Sequence, residues 1–518
     1  MSQTARKARE PNRCCYTAAC SNCPSSGLAR REFLTGIGVA TAGLFLPPAA
    51  TTGQSKDPLR QLPIQVPLKV QPALLYDLPE RIEARTWRSW GGVQTVQAVS
   101  AEKDRIQREM ALMKTAADFP LEILPVVAVR TTDEAAVVAK GAHDMTLVYA
   151  AGGRLAELEA LTSPEKRNLI FLRHRSGPVY RWYLPAHARY LRKNVDEFSQ
   201  PGMGTEDVVV DSHDEVLWRL RALYGLKNTL GKRIVAVGGP SGWGRDYKLA
   251  PERACKVWKL DIQTLSYPDL GDRIKRARQN EALLKRCSSQ AERYLKQKGI
   301  SLETSRQFVS NSFILTEVLR GLLDDFHTDA ITINGCMTTI MPISETTACL
   351  PLSILNDDGY MAFCESDFVV IPSGILLHYI SSKPQFLNDP CYPHDGLVTL
   401  AHCTAPRKMD GNNLERARIL THFESDYGAA PKVEMRKGQK VTNIAPDFAV
   451  RKYVGVEGEI VDTPFLPICR SQIEVQIKGD MDRLLQELRG FHWMTCYGDY
   501  LREVGYALKK TGLDWIKV

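Results

Sequence analysis

Short apolar segments alternate with longer amphipathic segments from about Leu121 onward. This order predicts strands at residues 124–130, 145–150 and 168–173, with helices at 133–142 and 155–161 between them. Strands separated by helix-length segments are typical of a parallel sheet with helices on its faces. We therefore predict an α/β domain over residues 54–190, whose first part, 54–70, is a linker.

The same alternation continues in a second unit, predicted over residues 191–355. Strands are expected at 207–211, 233–238 and 329–334, and helices at 214–224, 272–299 and 305–326. The glycine-rich segment 238–244 follows a strand but matches neither the dinucleotide nor the P-loop pattern. We expect this turn at the carboxyl edge of the second sheet, where such folds bind ligands, with Trp243 as a ligand contact.

The pattern changes after about Leu397. Short runs, several of them alternating, follow one another without crossover helices, at 397–402, 418–423, 432–436, 440–444, 448–454, 459–462 and 471–478. Such runs predict an antiparallel, barrel-like structure. The expected fold class is thus two parallel-sheet α/β (Rossmann-like) domains and a β-rich, barrel-like C-terminal domain over 356–518, which ends in a helix at 500–511.

Composition places the chain among ordinary globular proteins. Its 518 residues are 44% hydrophobic and 24% charged, and the length indicates two or three domains. Half of the formal net charge of +8 lies in the first 50 residues, which leaves too little for a nucleic-acid-binding surface. Nine of the 13 cysteines lie beyond those residues, and we expect them to be small buried side chains without a disulfide framework.

The first 53 residues resemble a twin-arginine export signal. Arg30-Arg31-Glu-Phe-Leu opens an apolar run that reaches Leu46, and no charge stands between Glu32 and Lys56. The run is too short to span a bilayer comfortably, so we expect cleavage near residue 50 and no stable membrane span. The twin-arginine export machinery would then be a partner and the location periplasmic. A disordered N-terminal arm is the alternative.

Two acidic residues interrupt apolar segments in the last third of the chain. Glu365 follows Met-Ala-Phe-Cys, and Asp389 follows Phe-Leu-Asn. A buried carboxylate must be paired, protonated or bound to a cation. Plainer interpretations stay open, because Glu365 could face water at a strand end and Asp389, before Pro390, suits a turn. His492, between two aromatic residues, could equally be a core histidine.

Four segments together resemble the L-fucose isomerase/L-arabinose isomerase family. They are Cys364-Glu-Ser-Asp367, Asp389, Ala401-His-Cys403 and Gly490-Phe-His-Trp493 with the following Tyr497-Gly-Asp499. The similarity is clearest over about Asp329 to Leu513. The family interconverts aldoses and ketoses with a divalent metal and is built from two α/β domains and a β-rich domain. Ser366 departs from the glycine that many relatives have there.

The resemblance implies a site residue by residue. Glu365, Asp389 and His492 would be the metal ligands, with His402 as a candidate fourth, and Mn²⁺ the expected ion. Glu365 and Asp389 would also be the two acid/base groups of an enediolate mechanism. Trp493 would offer a flat face to a sugar. A small sugar substrate and a homo-oligomer are the further implications.

Two other functions fit the same residues. A non-catalytic exported sugar-binding protein could use the same scaffold, although binding alone does not require two carboxylates and a histidine. A metal-dependent sugar epimerase or lyase could use the same site, and only its product would distinguish it.

Overall fold

The computed structural model describes residues 65–518. The predicted export signal lies outside this range. No helix among these residues is long and apolar enough to cross a membrane. The predicted linker over 54–70 needs one correction, because the first strand already begins at Leu68 and buries Leu68 and Val70.

The first unit is a parallel α/β sheet. Its strands are β1 (Leu68–Leu75), β2 (Leu121–Ile123), β3 (Val127–Val129), β4 (Met145–Ala150), β5 (Arg167–Leu172) and β6 (Val208–Val210). They pair in the order β2-β1-β4-β5-β6, with β3 also beside β1. The four helices are α1 (Val96–Ala116), α2 (Thr132–Ala139), α3 (Leu155–Leu161) and α4 (His213–Thr229).

Every residue of β4 is buried, as expected for a central strand covered on both faces. Of the strand predicted at 124–130 only β3 is formed, and a second short strand, β2, precedes the predicted range, with Pro125 between the two. Proline has no backbone N–H to donate to a neighbouring strand, which explains the interruption.

The second unit is a four-stranded parallel sheet with the order β11-β10-β7-β8. These strands are β7 (Arg233–Val237), β8 (Asp261–Leu265), β10 (Ala330–Ile333) and β11 (Met361–Cys364), while β9 (Ile300–Leu302) lies in another sheet. The helices are α5 (Ala250–Trp258), α6 (Tyr267–Arg278), α7 (Glu281–Leu295), α8 (Arg306–Asp325), α9 (Met341–Ser344), α10 (Cys349–Asp357) and α11 (Ile371–Ser381).

The one helix predicted at 272–299 is two helices, α6 and α7. The side chain of Asn280 accepts a hydrogen bond from the N–H of Leu283 at 3.0 Å and so caps the start of α7.

The C-terminal unit is a closed six-stranded β-barrel. All neighbours are antiparallel, in the order β16-β19-β12-β13-β18-β17, and β17 pairs back with β16. The strands are β12 (Phe386–Pro390), β13 (Leu397–His402), β16 (Lys440–Pro446), β17 (Lys452–Asp462), β18 (Ser471–Ile477) and β19 (Trp493–Tyr497). The prediction of a barrel-like domain is confirmed, and the runs predicted at 448–454 and 459–462 are the single strand β17.

The other strands and helices of the C-terminal unit lie outside the six strands of the barrel. β14 (Arg416–Leu420) and β15 (Ala430–Glu434) form a small sheet with β9, and β20 (Asp514–Lys517) pairs parallel to β17. Two helices complete the unit, α12 (Met481–Glu487) and α13 (Leu501–Lys510). β6 and β11 lie past the predicted boundaries at 190 and 355 but belong to the sheets that precede them.

Helix α11 packs between these units. All eleven of its residues are buried, and it contacts α4 of the first unit and β19 of the barrel. Close approach is allowed by Gly374, where an added methyl group would lie 2.5 Å from Phe363 Cε1 and 2.7 Å from Met494 Cε. The helix thereby holds the end of β11 next to the barrel.

Candidate metal centre

A cavity of about 600 Å³ lies between the second sheet and the barrel. This volume is in the range of small-molecule sites. The sheet contributes the ends of β7, β10 and β11, and the barrel contributes residues of β12 and β13. Its lining includes Trp243, Glu365, Asp389, His402, Phe491 and five cysteines.

The position of the cavity follows from the strand order. From β7 the chain first adds β8 on one side and later adds β10 on the other, so the connections diverge between β7 and β10. Loops that leave neighbouring strands in opposite directions open a crevice at the carboxyl edge of a sheet. The loop after β7, with Ser241 to Gly244, and Asn334–Gly335 after β10 both line the cavity. This agrees with the prediction for segment 238–244.

Glu365 is placed by an unusual turn at the end of β11. Glu365 and Ser366 have φ values of 63° and 47°, which is left-handed backbone that favours glycine. The turn is tied on both sides: the N–H of Ser366 donates to Thr332 Oγ1 at 3.1 Å, and the N–H of Ser241 donates to the carbonyl of Ser366 at 3.2 Å. These bonds hold a non-glycine residue at position 366 in that conformation.

The barrel supplies the other polar groups from three adjacent strands. Asp389 lies in β12, His402 ends β13, and His492 directly precedes β19. β12 lies between the other two, with Asp389 opposite Ala401 and Asn388 opposite Trp493. Antiparallel pairing therefore brings together residues more than 100 positions apart in the chain.

Four of the predicted site residues meet in the structure. His492 Nε2 lies 3.2 Å from Asp389 Oδ1 and 3.5 Å from Glu365 Oε2. His402 Nε2 lies 3.5 Å from Glu365 Oε1. The two imidazoles are buried, whereas the carboxylates are about one third exposed, at 34% for Glu365 and 33% for Asp389. The carboxylates and His402 thus line the cavity, and His492 lies behind them.

Asp367 is a functional residue that the sequence analysis did not select. Its fully buried carboxylate lies 2.8 Å from Nδ1 of His492. The Nδ1–H of His492 donates to Asp367, which fixes the ring so that Nε2 faces Glu365 and Asp389. Carboxylates hold metal-binding histidines in this way in many proteins. The available signal was an acid two residues after Glu365, inside an apolar run.

The charges at the centre stabilise one another. Burial opposes ionisation of Glu365, but His402, His492 and the Trp243 indole outweigh it and lower the pKa of Glu365 to about 2. Burial likewise disfavours the cationic form of His492. Its contacts with Asp367, Asp389 and Glu365 nevertheless raise the pKa of His492 to about 10. The carboxylates therefore form an anionic centre that favours a cation.

Two aromatic rings cover the mouth of the cavity. Trp243 and Phe491 stack with centroids 4.0 Å apart and planes 5° apart, and both are partly exposed. The Trp243 indole N–H donates to Glu365 Oε2 at 3.0 Å. Trp493 does not have the position expected of a sugar contact: it is buried in the core beside the barrel and donates to the carbonyl of Arg489 at 3.3 Å. Trp493 directly follows His492, and successive residues of a strand point to opposite sides, so Trp493 points away from the centre that His492 faces. Phe491, which precedes the strand, lines the cavity instead.

The donor set fits a divalent ion. Asp389 Oδ1 and His492 Nε2 are buried atoms that make no hydrogen bond, although they lie 3.2 Å apart. A divalent ion that displaced the Nε2 proton of His492 would bridge these two atoms. Ligand atoms of Asp389, His402 and His492 lie within 4.8 Å of one another, and so do those of Cys364, Glu365 and His402. Carboxylate oxygens with imidazole suit Mn²⁺ among other ions.

No protein-family model matches the chain. No curated protein matches it either.

Proposed function

We propose that this protein is a metal-dependent aldose–ketose isomerase of the L-fucose/L-arabinose isomerase type. The observation that carries the proposal is the convergence of Glu365 and Asp389 on one buried imidazole at the wall of a sugar-sized cavity. The four sequence segments that resemble the family support it, since they supply these residues. A pair of carboxylates beside a cation supplies the base, the acid and the stabilising charge that proton transfer between adjacent carbons uses.

The reaction moves one proton from C2 to C1 and one from the C2 hydroxyl to the C1 oxygen. Glu365, ionised because of its low pKa, takes the proton from the carbon next to the carbonyl and returns it to the neighbouring carbon. Asp389 acts on the other side of the C1–C2 unit and transfers the proton between the two oxygens. The intermediate between these transfers is an enediolate, and no proton is gained or lost overall.

Glu365, Asp389 and His492 would hold the divalent ion, with His402 as a fourth ligand and Mn²⁺ as the expected ion. The bound ion supplies positive charge that stabilises the enediolate and orients adjacent sugar oxygens. Asp367 fixes His492 from behind, so the imidazole needs no rearrangement when the ion enters. The stacked rings of Trp243 and Phe491 would contact the C–H groups of the sugar and exclude water.

Deuterium exchange tests this function. The purified protein with Mn²⁺ is incubated with a panel of aldoses in D2O, and deuterium at C1 or C2 is measured by NMR. Glu365→Gln and Asp389→Asn should each reduce exchange by about 10²–10⁴-fold. The exposed Asp395, whose side chain is 92% exposed, provides the control Asp395→Asn.

Other outcomes would identify the alternatives. A protein that binds sugar with no metal and no exchange would be a binding protein. Exchange that yields an epimer or a dehydrated product in place of a ketose would indicate an epimerase or a lyase.

Export through the twin-arginine pathway to the periplasm and a homo-oligomeric state belong to the same proposal. Replacing Arg30 and Arg31 with lysine should retain the protein in the cytoplasm, which cell fractionation would detect. Light scattering of the purified protein would measure the number of subunits.

A further inference from the structure

Thiols form one wall of the cavity, and the proposed isomerisation uses none of them. The five cysteines in the lining are Cys336, Cys349, Cys364, Cys403 and Cys469. None of the nine cysteines within residues 65–518 is in a disulfide bond. Sulfur is a soft ligand that Mn²⁺ and Mg²⁺ do not require, so these thiols offer chemistry of a different kind from the carboxylates.

One of these thiols lies beside the site. Cys364 is the last residue of β11. Its Sγ, a Glu365 carboxylate oxygen and a His402 ring nitrogen all lie within 4.8 Å of one another. Cys364 is 6% exposed and His402 is 3% exposed, so both ligands are shielded from bulk water. Nδ1 of His402 is engaged by Thr404 Oγ1 at 3.1 Å, which leaves Nε2 for a ligand.

We propose that Cys364, Glu365 and His402 form a second cation site, selective for thiophilic divalent ions such as Zn²⁺. Sulfur, carboxylate oxygen and imidazole nitrogen are the donors that zinc takes in proteins, and three protein ligands leave one position open. That position faces the cavity. Cys336 lines the same cavity.

The two cation sites compete for the same groups. Glu365 and His402 belong to this second site and also to the centre around His492. An ion held by Cys364 would occupy the carboxylate that moves the proton, and it would therefore inhibit the enzyme. The inhibition rests on the proposed function, whereas the binding of the ion does not.

Binding is tested with Co²⁺ as a spectroscopic probe of the purified full-length protein. We expect a thiolate-to-cobalt charge-transfer band in the near ultraviolet, lost in Cys364→Ser. The control is Cys287→Ser, because this thiol is buried in α7, 1% exposed, and contacts the Phe313 carbonyl away from the cavity. A wild-type protein without the band, or an undiminished band in Cys364→Ser, would overturn the site.

A second measurement needs no variant and so does not depend on the folding of Cys364→Ser. X-ray absorption of the zinc-loaded wild-type protein should show one sulfur ligand at about 2.3 Å, with nitrogen and oxygen at about 2.0–2.2 Å. A zinc shell that contains only nitrogen and oxygen would overturn the proposal.

Inhibition is measured by titrating Zn²⁺ into the Mn²⁺-supported exchange reaction. The Zn²⁺ concentration for half-inhibition should rise about 100-fold in Cys364→Ser, relative to that variant's own rate, because even groups that only orient a ligand contribute about 10–100-fold to metal affinity. Equal inhibition of both proteins would overturn the inhibitory role. If the thiolate band is present but no sugar exchanges even without zinc, the isomerase is wrong and the cation site stands.

Discussion

His492 Nδ1 lies 2.8 Å from Asp367 Oδ2, and both side chains are buried. Asp367 follows the left-handed turn at Glu365 and Ser366, and its Oδ1 accepts the N–H of Val369 at 3.0 Å. The carboxylate is thus fixed by the sheet, while the imidazole that it orients belongs to the barrel. This pair links the two halves of the site without lining the cavity.

The first prediction concerns Asp367→Asn. The amide keeps the shape of the side chain but removes the charge that holds the Nδ1 proton of His492. We expect Mn²⁺ affinity to fall by about 10–100-fold with the fold intact. Titration followed by the paramagnetic resonance signal of free Mn²⁺ measures the affinity, and circular dichroism measures the fold. Asp395→Asn is the control, and equal affinities for the two variants would contradict the role of Asp367.

The second prediction separates the two rings at the cavity mouth. Phe491→Leu removes the stacked ring but keeps the Trp243 hydrogen bond to Glu365, so KM should rise roughly 3–10-fold with kcat preserved. Trp243→Phe keeps a ring but removes the donor that orients Glu365, so kcat should fall roughly ten-fold. Steady-state kinetics of both variants provides the comparison. Identical changes in both would show that the rings act only as a lid.

The third prediction compares two glycines within helices. At Gly374 in α11 an added methyl group would meet Phe363 and Met494, whereas at Gly321 in α8 it would meet nothing within 4 Å. Gly374→Ala should lower the free energy of unfolding by about 1–3 kcal/mol through overpacking. Gly321→Ala should raise it by up to about 1 kcal/mol through helix propensity. Urea unfolding measures both, and a shared sign would contradict the packing described for α11.

The fourth prediction concerns pH and stability in the first unit. Asp211 accepts hydrogen bonds from the N–H groups of His174, Arg175 and Ser176 and from the Ser176 hydroxyl. Burial opposes ionisation of Asp211, but these bonds, that of the Ser176 hydroxyl foremost, hold its pKa well below the usual range. The pKa is lower in the folded state, so the stabilisation is fully present above about pH 4, the pKa of an unfolded Asp, and is lost as the pH falls through the folded pKa.

Asp211→Asn should therefore reduce the free energy of unfolding by about 1–3 kcal/mol at pH 7, and the deficit should shrink in acid. Asparagine tolerates the left-handed backbone of position 211, so strain does not confuse the comparison. The exposed Asp104→Asn is the control and should change stability by less than about 0.5 kcal/mol. A deficit that is constant from pH 7 to pH 3 would contradict the assignment.

Much of the order of strands and helices was predictable, because each element has its own local pattern of apolar residues. Buried strands such as β4 and β7 are short apolar runs, and the helices between them repeat their apolar positions with helical spacing. Helix α11 escaped prediction for the opposite reason. It is apolar on all sides because it is buried on all sides, so it has no polar face to mark its period.

The site was predictable in its residues but not in its connections. Glu365, Asp389, His402 and His492 were selected from local context and resemblance, and they do meet. The contact of Asp367 with His492 joins positions 125 residues apart. It also depends on a left-handed turn at Glu365 and Ser366, where no glycine in the sequence indicates such a turn. Trp493 was selected in place of Phe491 because the sequence does not show that Trp493, one residue after His492, points to the opposite side of the strand.

The closed barrel and the open sheet each carry an incomplete half of the centre. Asp389 and His402 lie in neighbouring strands of the barrel and His492 directly precedes a third, whereas Glu365, Asp367 and Trp243 lie on loops of the sheet. Neither half alone could retain an ion with the full set of donors. Binding of an ion at the proposed centre would then require that the sheet and the barrel have docked. A chain in which they had not docked would lack the ion.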